Sequence, residues 1–480
     1  MSWAAHAGFA LWSSLVATHA EPNAVASRAS STVAPATRPL LELETVLASV
    51  REHHPLLDAA DHAIGAARGR QLSARGAFDP RLRVRAAGTP LGGYRYGAVD
   101  TEVRVRTVAL GMVAFAGWRL GRGDIPAYDG RLATADGGEL RAGIEVPVLR
   151  DALVDAPRTL RRKADIDAEI AELERAQRGL EIARDAAIAY WDWAAALGRA
   201  QIRERQLALA RDRDEGIRRQ IAEGNTAAIE SLDNARVIAT REAIVVSARR
   251  DARISALAVS LFLRTNAGRP ELPDGFTAPP LELPALDRTQ RLDVDDRAAL
   301  SRRPELRVAA ARLRAAELDV RLARNGRLPA LAVQGYAAKD IGDGPEVLRP
   351  AELGIGATLE IPIPFRTARG ELATARATAG RLGDERRFLA ERVTVEVHSA
   401  HADMTAALAR ATIAGRQADL AEQLADAERD RFALGDSNIL LVNLREESAA
   451  DAAASAVDAT ADYHKSRARY QVATGMMPRS

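Results

Sequence analysis

The 480-residue chain contains no cysteine, and this absence removes several kinds of chemistry at once. Disulfide bonds, thiolate nucleophiles and cysteine metal sites are excluded, and so is the acylated cysteine by which lipoproteins attach to membranes. Aromatic residues are also scarce, at 4% of the chain. A chain so poor in aromatics and so rich in alanine and arginine suits long helices better than a compact globular core.

The chain has little excess charge of either sign. Its 67 basic and 65 acidic side chains leave a formal net charge of +2, and lysine occurs only at positions 163, 339 and 465. The positive charge is therefore almost all arginine, which is interleaved with acidic residues along stretches such as Ala171 to Arg184. Nucleic acid binding requires basic side chains gathered on one face. We therefore predict no nucleic acid partner.

Long apolar runs are missing beyond the first thirty residues. Ala4 to Ala17 is an apolar run of signal-peptide length, and the small-residue endings Thr18-His19-Ala20 and Ala24-Val25-Ala26 follow it. The sequence predicts a signal peptide at about 1–26 and a flexible leader at 27–39, with a merely apolar tail as the alternative. No later segment reaches the ~20 apolar residues of a membrane-spanning helix. A membrane-embedded form of this chain must therefore be a β-barrel.

Helical and strand patterns alternate along the first half of the mature chain. Leucine and valine recur at helical spacing from Leu40 to Arg75, with a bend expected at Pro55. Apolar and polar residues then alternate in strands at about 80–148. From about 157 to 266 the chain is dense in Ala, Leu, Arg and Glu, and Gly224 interrupts it. This order predicts a helix, several strands and a very long helical hairpin.

The same order returns after a predicted linker at 271–294. A helix expected from Asp295 to Asn325 leads into strands at about 331–363. A second helical hairpin follows at about 367–475, interrupted at Gly435.

Local sequence also repeats between the two halves. Ile144-Glu145-Val146-Pro147 corresponds to Leu359-Glu360-Ile361-Pro362, and a long hairpin follows each. We therefore predict two tandem repeats, at 40–270 and 295–477.

The strands are too few to close a barrel within one chain. Open strand edges are not tolerated in a membrane, so several chains must contribute to one barrel. We expect about four spanning strands per chain, and a cyclic trimer would then form a barrel of ~12 strands. The predicted fold is mostly α, with a membrane β-barrel portion shared by three chains and with long antiparallel helical hairpins. Such a geometry describes a conduit.

At this point the residues resemble a known family. The doubled order of strands and long hairpin, with IEVPVLRD at Ile144 to Asp151 and LEIPIPFRTARGELATARA at Leu359 to Ala377, is similar to the TolC family of outer-membrane efflux proteins. The resemblance covers roughly residues 40–477. It implies a homotrimer with a twelve-stranded β-barrel in the lipid of the cell outer membrane, and a large periplasmic α-barrel. It also implies an inner-membrane pump and a periplasmic adaptor (membrane fusion) protein that deliver the substrate.

The two hairpin turns are the most informative positions. Family members carry an aromatic residue three positions before the turn glycine of the second repeat, and Phe432 before Gly435 matches this pattern. Both turn glycines suit helix ends that need a positive φ, and simple helix termination is the alternative for any one flanking residue. By resemblance, the tips meet the adaptor and close the tube, and they contain Gly224, Asn225, Phe432, Gly435 and Asp436.

A pore constriction is also expected near these tips. Relatives carry acidic residues six and nine positions after the second-repeat glycine, where this chain has Leu441 and Leu444. The corresponding first-repeat positions are Glu230 and Asp233. Three symmetry-related carboxylates would focus cations on the pore axis. Glu230 and Asp233 are therefore the candidate constriction residues, with solvated helix charges as the alternative.

No residues form a recognisable catalytic or metal site. His398 and His401 lie three apart on a predicted helix, but no carboxylate pattern completes a metal site, and a surface or packing role is favoured. Tyr190, Trp191 and Trp193 form the densest aromatic cluster, for which packing between helices is favoured over substrate stacking. We predict that the chain is not an enzyme and binds no metal or cofactor.

The sequence therefore predicts a passive trimeric outer-membrane channel that serves as the exit duct of a tripartite system. Efflux of small molecules is favoured over protein secretion, although the sequence hardly separates the two. The alternative is a periplasmic coiled-coil adaptor or interaction protein without a membrane barrel. That alternative leaves two strand regions at matched positions unexplained.

Overall fold

The computed structural model describes residues 39–126, 132–224, 227–283 and 292–479. Outside these ranges lie the predicted signal peptide at 1–26, the leader up to residue 38, the tip residue Asn225 and residues 284–291 of the predicted linker.

The helices and strands follow one another in an order that occurs twice. In chain order, they are α1 (Leu43–His53), α2 (Pro55–Arg75), β1 (Arg81–Thr89), β2 (Tyr96–Arg106), β3 (Val113–Gly123), β4 (Gly138–Pro147), α3 (Ala156–Ala222), α4 (Ala228–Val259), α5 (Leu292–Arg302), α6 (Pro304–Asn325), β5 (Ala330–Ile341), β6 (Glu352–Glu360), α7 (Arg366–Ala433) and α8 (Ile439–Ala473).

Each half of the chain starts with two helices that are separated just before a proline. The break at His54 agrees with the bend expected at Pro55. The single helix expected from Asp295 to Asn325 is wrong, because the chain breaks at Arg303 between α5 and α6. A proline ring excludes the preceding residue from the helical region, while the proline itself suits the first position of a helix.

Four long helices form two antiparallel pairs, α3 with α4 and α7 with α8. α3 and α7 contain 67 and 68 residues. At ~1.5 Å per residue, each is about 100 Å long. α3 begins where Asp155 Oδ1 accepts a hydrogen bond from the Arg158 N–H at 2.7 Å. α4 ends at Val259, before residue 266, to which the hairpin was expected to extend. None of the helices in the described part of the chain is both long and apolar enough to cross a membrane.

The six strands form one antiparallel sheet, in which each strand pairs with the next along the chain. The sheet therefore has six strands, where about four spanning strands per chain were expected from the sequence. The extra strands lie between Arg81 and Pro147, where four strands are present. Glycines obscure their ends in the sequence, as where Gly88 lies opposite Gly97 near the end of the first hairpin.

Packing between helices buries the aromatic cluster of α3. Tyr190 is 1% exposed, and its hydroxyl donates a hydrogen bond to the Leu41 carbonyl oxygen at 2.7 Å. Burial raises the pKa of Tyr190 well above its usual value. Trp191 and Trp193 are also buried, in a core shared with α1 and with the end of α4. The packing role predicted for these three residues is confirmed.

His464 of α8 joins this core from the second half of the chain. Its ring stacks on Trp191 with centroids 4.0 Å apart, and its Nε2 donates to the Glu282 carbonyl oxygen at 2.9 Å. Burial lowers the pKa of His464 below 6.5, against the opposite effect of the Glu282 carbonyl. The neutral imidazole is therefore the form that the fold accommodates.

We predict that this histidine makes stability fall in acid. Because the folded pKa lies below the unfolded value of 6.5, the unfolded chain binds more protons as pH falls through 6.5 towards the folded pKa. The helical melting midpoint, followed by circular dichroism, should drop between pH 7.5 and pH 5. His464→Phe should flatten this dependence while keeping an aromatic ring on Trp191, whereas exposed His62→Gln should leave it unchanged. A wild-type slope in His464→Phe would contradict the assignment.

Candidate channel surfaces

The register of the sheet places most charged side chains on one face and most apolar ones on the other, with Arg122 and Lys339 near the strand ends as charged residues on the apolar side. Residues opposite each other in neighbouring strands project to the same face. Arg83 lies opposite Glu102, Glu102 opposite Gly117, and Gly117 opposite Arg141. We call the face that these residues share the charged face, and the opposite one the apolar face. The charged face also carries Arg81, Arg85, Asp100, Arg104, Arg106, Arg119, Glu139, Glu145, Asp340, Glu352 and Glu360.

The apolar face runs across all six strands and is open to its surroundings. Ten of its large aliphatic side chains are between 37% and 81% exposed. They are Leu82, Val84, Val99, Val103, Leu140, Ile144, Val333, Leu353, Ile355 and Leu359. The strands contain 9 to 12 residues, which is about the length that crosses a bilayer when tilted. An exposed apolar surface of this extent marks contact with lipid or with another protein.

On the charged face, arginine and carboxylate side chains pair between strands. Arg141 Nη2 lies 2.9 Å from the Asp100 carboxylate and 3.2 Å from that of Glu102. Arg104 Nη2 lies 3.2 Å from the carboxylate of Glu145 two strands away. Single exposed pairs contribute little, but opposite charges across strands favour this register over a shifted one. The sequence showed the alternation of these residues but not their pairing.

The two hairpin turns are built on glycines, as the sequence predicts. Gly224 and Gly435 have φ of 77° and 81°, a region in which an L side chain is strained. Gly224 N–H donates to the Ile221 carbonyl at 3.0 Å, and Gly435 N–H donates to that of Phe432 at 3.0 Å. The glycines thus satisfy carbonyl groups left over at the helix ends.

At the second tip, around Gly435, an ion pair spans the turn and exposed leucines lie beside it. Arg431 contacts Asp436 through its carboxylate, with Nε and Oδ2 3.4 Å apart, and donates to its carbonyl at 3.0 Å. Phe432 is half-buried, whereas Leu434 is 84% exposed and Leu440 is 67% exposed. The first tip carries similarly exposed Ile229 and Leu232. Sequence reasoning did not single out these aliphatic residues, which form small apolar surfaces on otherwise polar helices.

The two candidate constriction residues differ in their surroundings. Glu230 lies in the first turn of α4, where the helix dipole favours a carboxylate, and no ion pair joins it to a described residue. Asp233 accepts hydrogen bonds from Arg236, with Nη2 and Oδ1 3.1 Å apart. The charge of Asp233 is therefore partly neutralised, and that of Glu230 is not.

A buried ion cluster joins the two hairpins, and sequence reasoning missed it. Arg241 of α4 and Arg213 of α3 both contact the carboxylate of Glu446 on α8, with 3.0 Å between Arg241 Nη2 and Glu446 Oε2. The side chains of Arg241 and Glu446 are 6% and 2% exposed. Burial lowers the pKa of Arg241, and the Glu446 carboxylate acts in the opposite direction. No sequence signal distinguishes these residues from the many other Arg and Glu residues.

The two histidines that lie three residues apart on α7 have contacts other than a metal. His398 Nε2 lies 2.8 Å from the Asp296 carboxylate, and the His401 ring packs edge-on against Tyr470. Among the described residues, no group of three or more His, Cys, Asp or Glu side chains could hold a metal ion.

Comparison with known proteins supports a channel. Residues 297–476 match the family model described as outer membrane efflux protein. A search of curated proteins finds no match to the chain.

Solved structures share the fold over most of the chain. The structure of the outer membrane protein VceC from Vibrio cholerae has a TM-score of 0.62 at 17% identity, covering 91% of this chain and 97% of that one. A membrane protein from Pseudomonas aeruginosa has a TM-score of 0.63 at 16% identity, over 91% and 94%. The open MtrE outer membrane channel from Neisseria gonorrhoeae has a TM-score of 0.62 at 16% identity, over 91% and 89%. Identities this low establish the fold alone.

Residues 297–476 therefore match the outer membrane efflux family, and the fold of the described chain is the one found in outer-membrane channels with a large periplasmic helical part. Proteins of that family are conduits and not enzymes. The resemblance to the TolC family of outer-membrane efflux proteins predicted from the sequence is confirmed.

We predict that Glu446 stabilises the contact between the hairpins. Glu446→Gln leaves Arg213 and Arg241 buried without a counter-charge, which should cost about 3 kcal/mol or more. The neighbouring Glu447 is exposed, and Glu447→Gln should change stability by less than about 0.5 kcal/mol. The measurement is the thermal melt of the purified protein, in which only Glu446→Gln should lower the midpoint by several degrees. Equal midpoints for the two variants would show that the cluster is not stabilising.

Proposed function

We propose that three copies of this chain form a passive outer-membrane channel, the exit duct of a tripartite efflux or secretion system. The sheet carries the proposal, because one face of all six strands is apolar and exposed while the other is charged. Such a sheet suits lipid on one side and water on the other. Among the described residues, no strand lies beside the outer edge of β1 or of β6, and further copies would supply one.

The long helices extend the proposed conduit into the periplasm. β4 leads into α3 and β6 leads into α7, and these two strands run in the same direction, so both long helices leave the same end of the sheet. Three copies would place twelve long helices below the barrel as an α-barrel. An inner-membrane pump would provide the energy of transport, as the resemblance to the TolC family implies.

The hairpin tips are the proposed contact with a periplasmic adaptor. The exposed Leu434 and Leu440 support this role, because isolated aliphatic patches on polar helices favour docking of another helical protein. The tip residues of the proposal are Gly224, Asn225, Phe432, Gly435 and Asp436.

A duplication underlies the proposed architecture, with repeats at 40–270 and 295–477. It is supported by helix pairs broken before Pro55 and before Pro304, and by glycines with positive φ at both hairpin turns. The repeats differ in strand number, since the first contributes four strands and the second two.

A periplasmic adaptor without a barrel is disfavoured by the apolar face, which would be exposed to water in such a protein. Efflux of small molecules is favoured over protein secretion by the match to an efflux family.

The proposal is tested by expressing the full-length protein with its own N-terminus. We expect it in the outer membrane, extracted by detergent at three times the mass of the chain, and conducting ions in planar bilayers without nucleotide. A soluble monomer or dimer in the periplasm would contradict the proposal and favour the adaptor.

Glu230 and Asp233 are proposed to line a cation-selective constriction near the first tip. Glu230→Gln should reduce cation selectivity more than Asp233→Asn, because Arg236 already offsets the charge of Asp233. The measurement is the reversal potential of single channels in a salt gradient. Glu317→Gln, at an exposed position on α6, is the matched control and should leave it unchanged. If Glu230→Gln also leaves it unchanged, the residue does not line the constriction.

A further inference from the structure

The two outer strands of the sheet are suited to pair with each other between copies. β1 and β6 each contain 9 residues and lie at opposite ends of the strand order. With six strands alternating in direction, β1 and β6 run antiparallel, as every other neighbouring pair does. A β6 edge can therefore accept the β1 edge of the next copy and continue the same sheet.

The sheet already has the stagger that a closed barrel needs. Opposite residues define a line across the sheet that starts at Arg81, the first residue of β1, and ends at Gly354 of β6, six positions before the last residue of that strand. The line passes through Arg104, Phe115, Gly143 and Tyr336. A shift of six residues at ~3.3 Å each, over five spacings of ~4.8 Å, corresponds to strands tilted by roughly 40°. Barrel strands are tilted by about 35–45°.

We propose that β1 of one copy pairs with β6 of the next, with Arg81 opposite Glu360, so that all six strands of each copy stand in the barrel wall. Three copies of a six-stranded sheet then form a barrel of eighteen strands. The inference rests on the proposed trimeric channel and replaces the twelve strands that the family resemblance implies.

The opposite ends of the sheet also complement each other in charge. Arg81, Arg83 and Arg85 project from β1 on the charged face, and no acidic side chain among the described residues pairs with them. Glu360 lies on the same face at the other end of the sheet and likewise has no ion pair there. Placing Arg81 opposite Glu360 keeps both on the charged face, because the offset is an even number of residues.

Removing any strand from the barrel wall would be unfavourable. Each inner strand is paired on both sides, and the apolar face continues from Leu82 on β1 to Leu353 and Ile355 on β6. A strand outside the wall would expose these aliphatic side chains to water and leave its neighbour with an open edge in lipid. Because barrel diameter grows roughly linearly with strand number, the lumen would be about 1.5 times as wide as that of a twelve-stranded barrel.

The absence of cysteine allows a direct test by paired substitution. Arg81→Cys with Glu360→Cys, treated with a short thiol-specific cross-linker in the intact channel, should give a covalent trimer on a denaturing gel. Leu82→Cys with Glu360→Cys places the thiols on opposite faces and should give little product. Arg83→Cys with Glu102→Cys, which face each other within one chain, should react without changing the mass.

The possible outcomes distinguish failure of the proposed strand pairing from failure of the proposed channel function. A covalent trimer through Arg81→Cys and Glu360→Cys supports the eighteen-stranded barrel. A covalent dimer as the largest product after exhaustive cross-linking overturns it, because two copies close only twelve strands. A conducting trimer that does not cross-link overturns the edge pairing while the proposed function stands. Absence of any outer-membrane trimer before cross-linking removes both. Electron cryomicroscopy of the wild-type trimer provides an independent count, and twelve strands in the wall would refute the proposal.

Discussion

Backbone hydrogen bonding inside lipid is the constraint on which the rest of this protein depends. Lipid offers no hydrogen-bond partner, so every strand of a membrane-embedded sheet needs a neighbour on both sides. Among the described residues, five strand pairings meet this need for the inner strands and leave one edge open on β1 and on β6. In the proposed channel, assembly with other copies would complete the sheet, and the number of strands per chain would set the width of the barrel.

The helices are joined to the sheet and to one another by a few buried polar contacts within long apolar seams. At the junction, Asp155 caps α3 and also lies near Arg106 at the end of β2, with Nη1 and Oδ2 3.8 Å apart. Arg158 donates to the Asp151 carbonyl at 2.7 Å, which ties the connecting loop to the helix. Towards the tips, Arg241 and Glu446 hold the two hairpins together. A helical hairpin of this length can transmit a displacement from its tip to the sheet only if such contacts keep its helices aligned with those of the other hairpin.

Much of the fold could be predicted because its signals are local. Helical periodicity and the absence of proline placed α3 to within a residue of its observed bounds, and Gly224 and Gly435 marked both turns through the backbone conformation they permit. Strand number was harder to predict, since Gly88 and Gly97 interrupt the alternation at the strand ends. The break at Arg303 was missed although Pro304 follows it in the sequence. Of the candidate surfaces, the glycine tips were predictable, whereas the exposed leucines and the Glu446 cluster were not.

The sequence by itself determined the helices, the turns, the amphipathic strands and the absence of cysteine chemistry, because each depends on residues close together in the chain. Only the tertiary structure decided which charges meet, how many strands share one sheet and how far they are staggered. Arg141 and Asp100 are 41 residues apart, and Arg241 and Glu446 are 205 apart. Their contacts follow from strand register and helix packing, which arise from the summed pairing of whole elements and not from any local pattern.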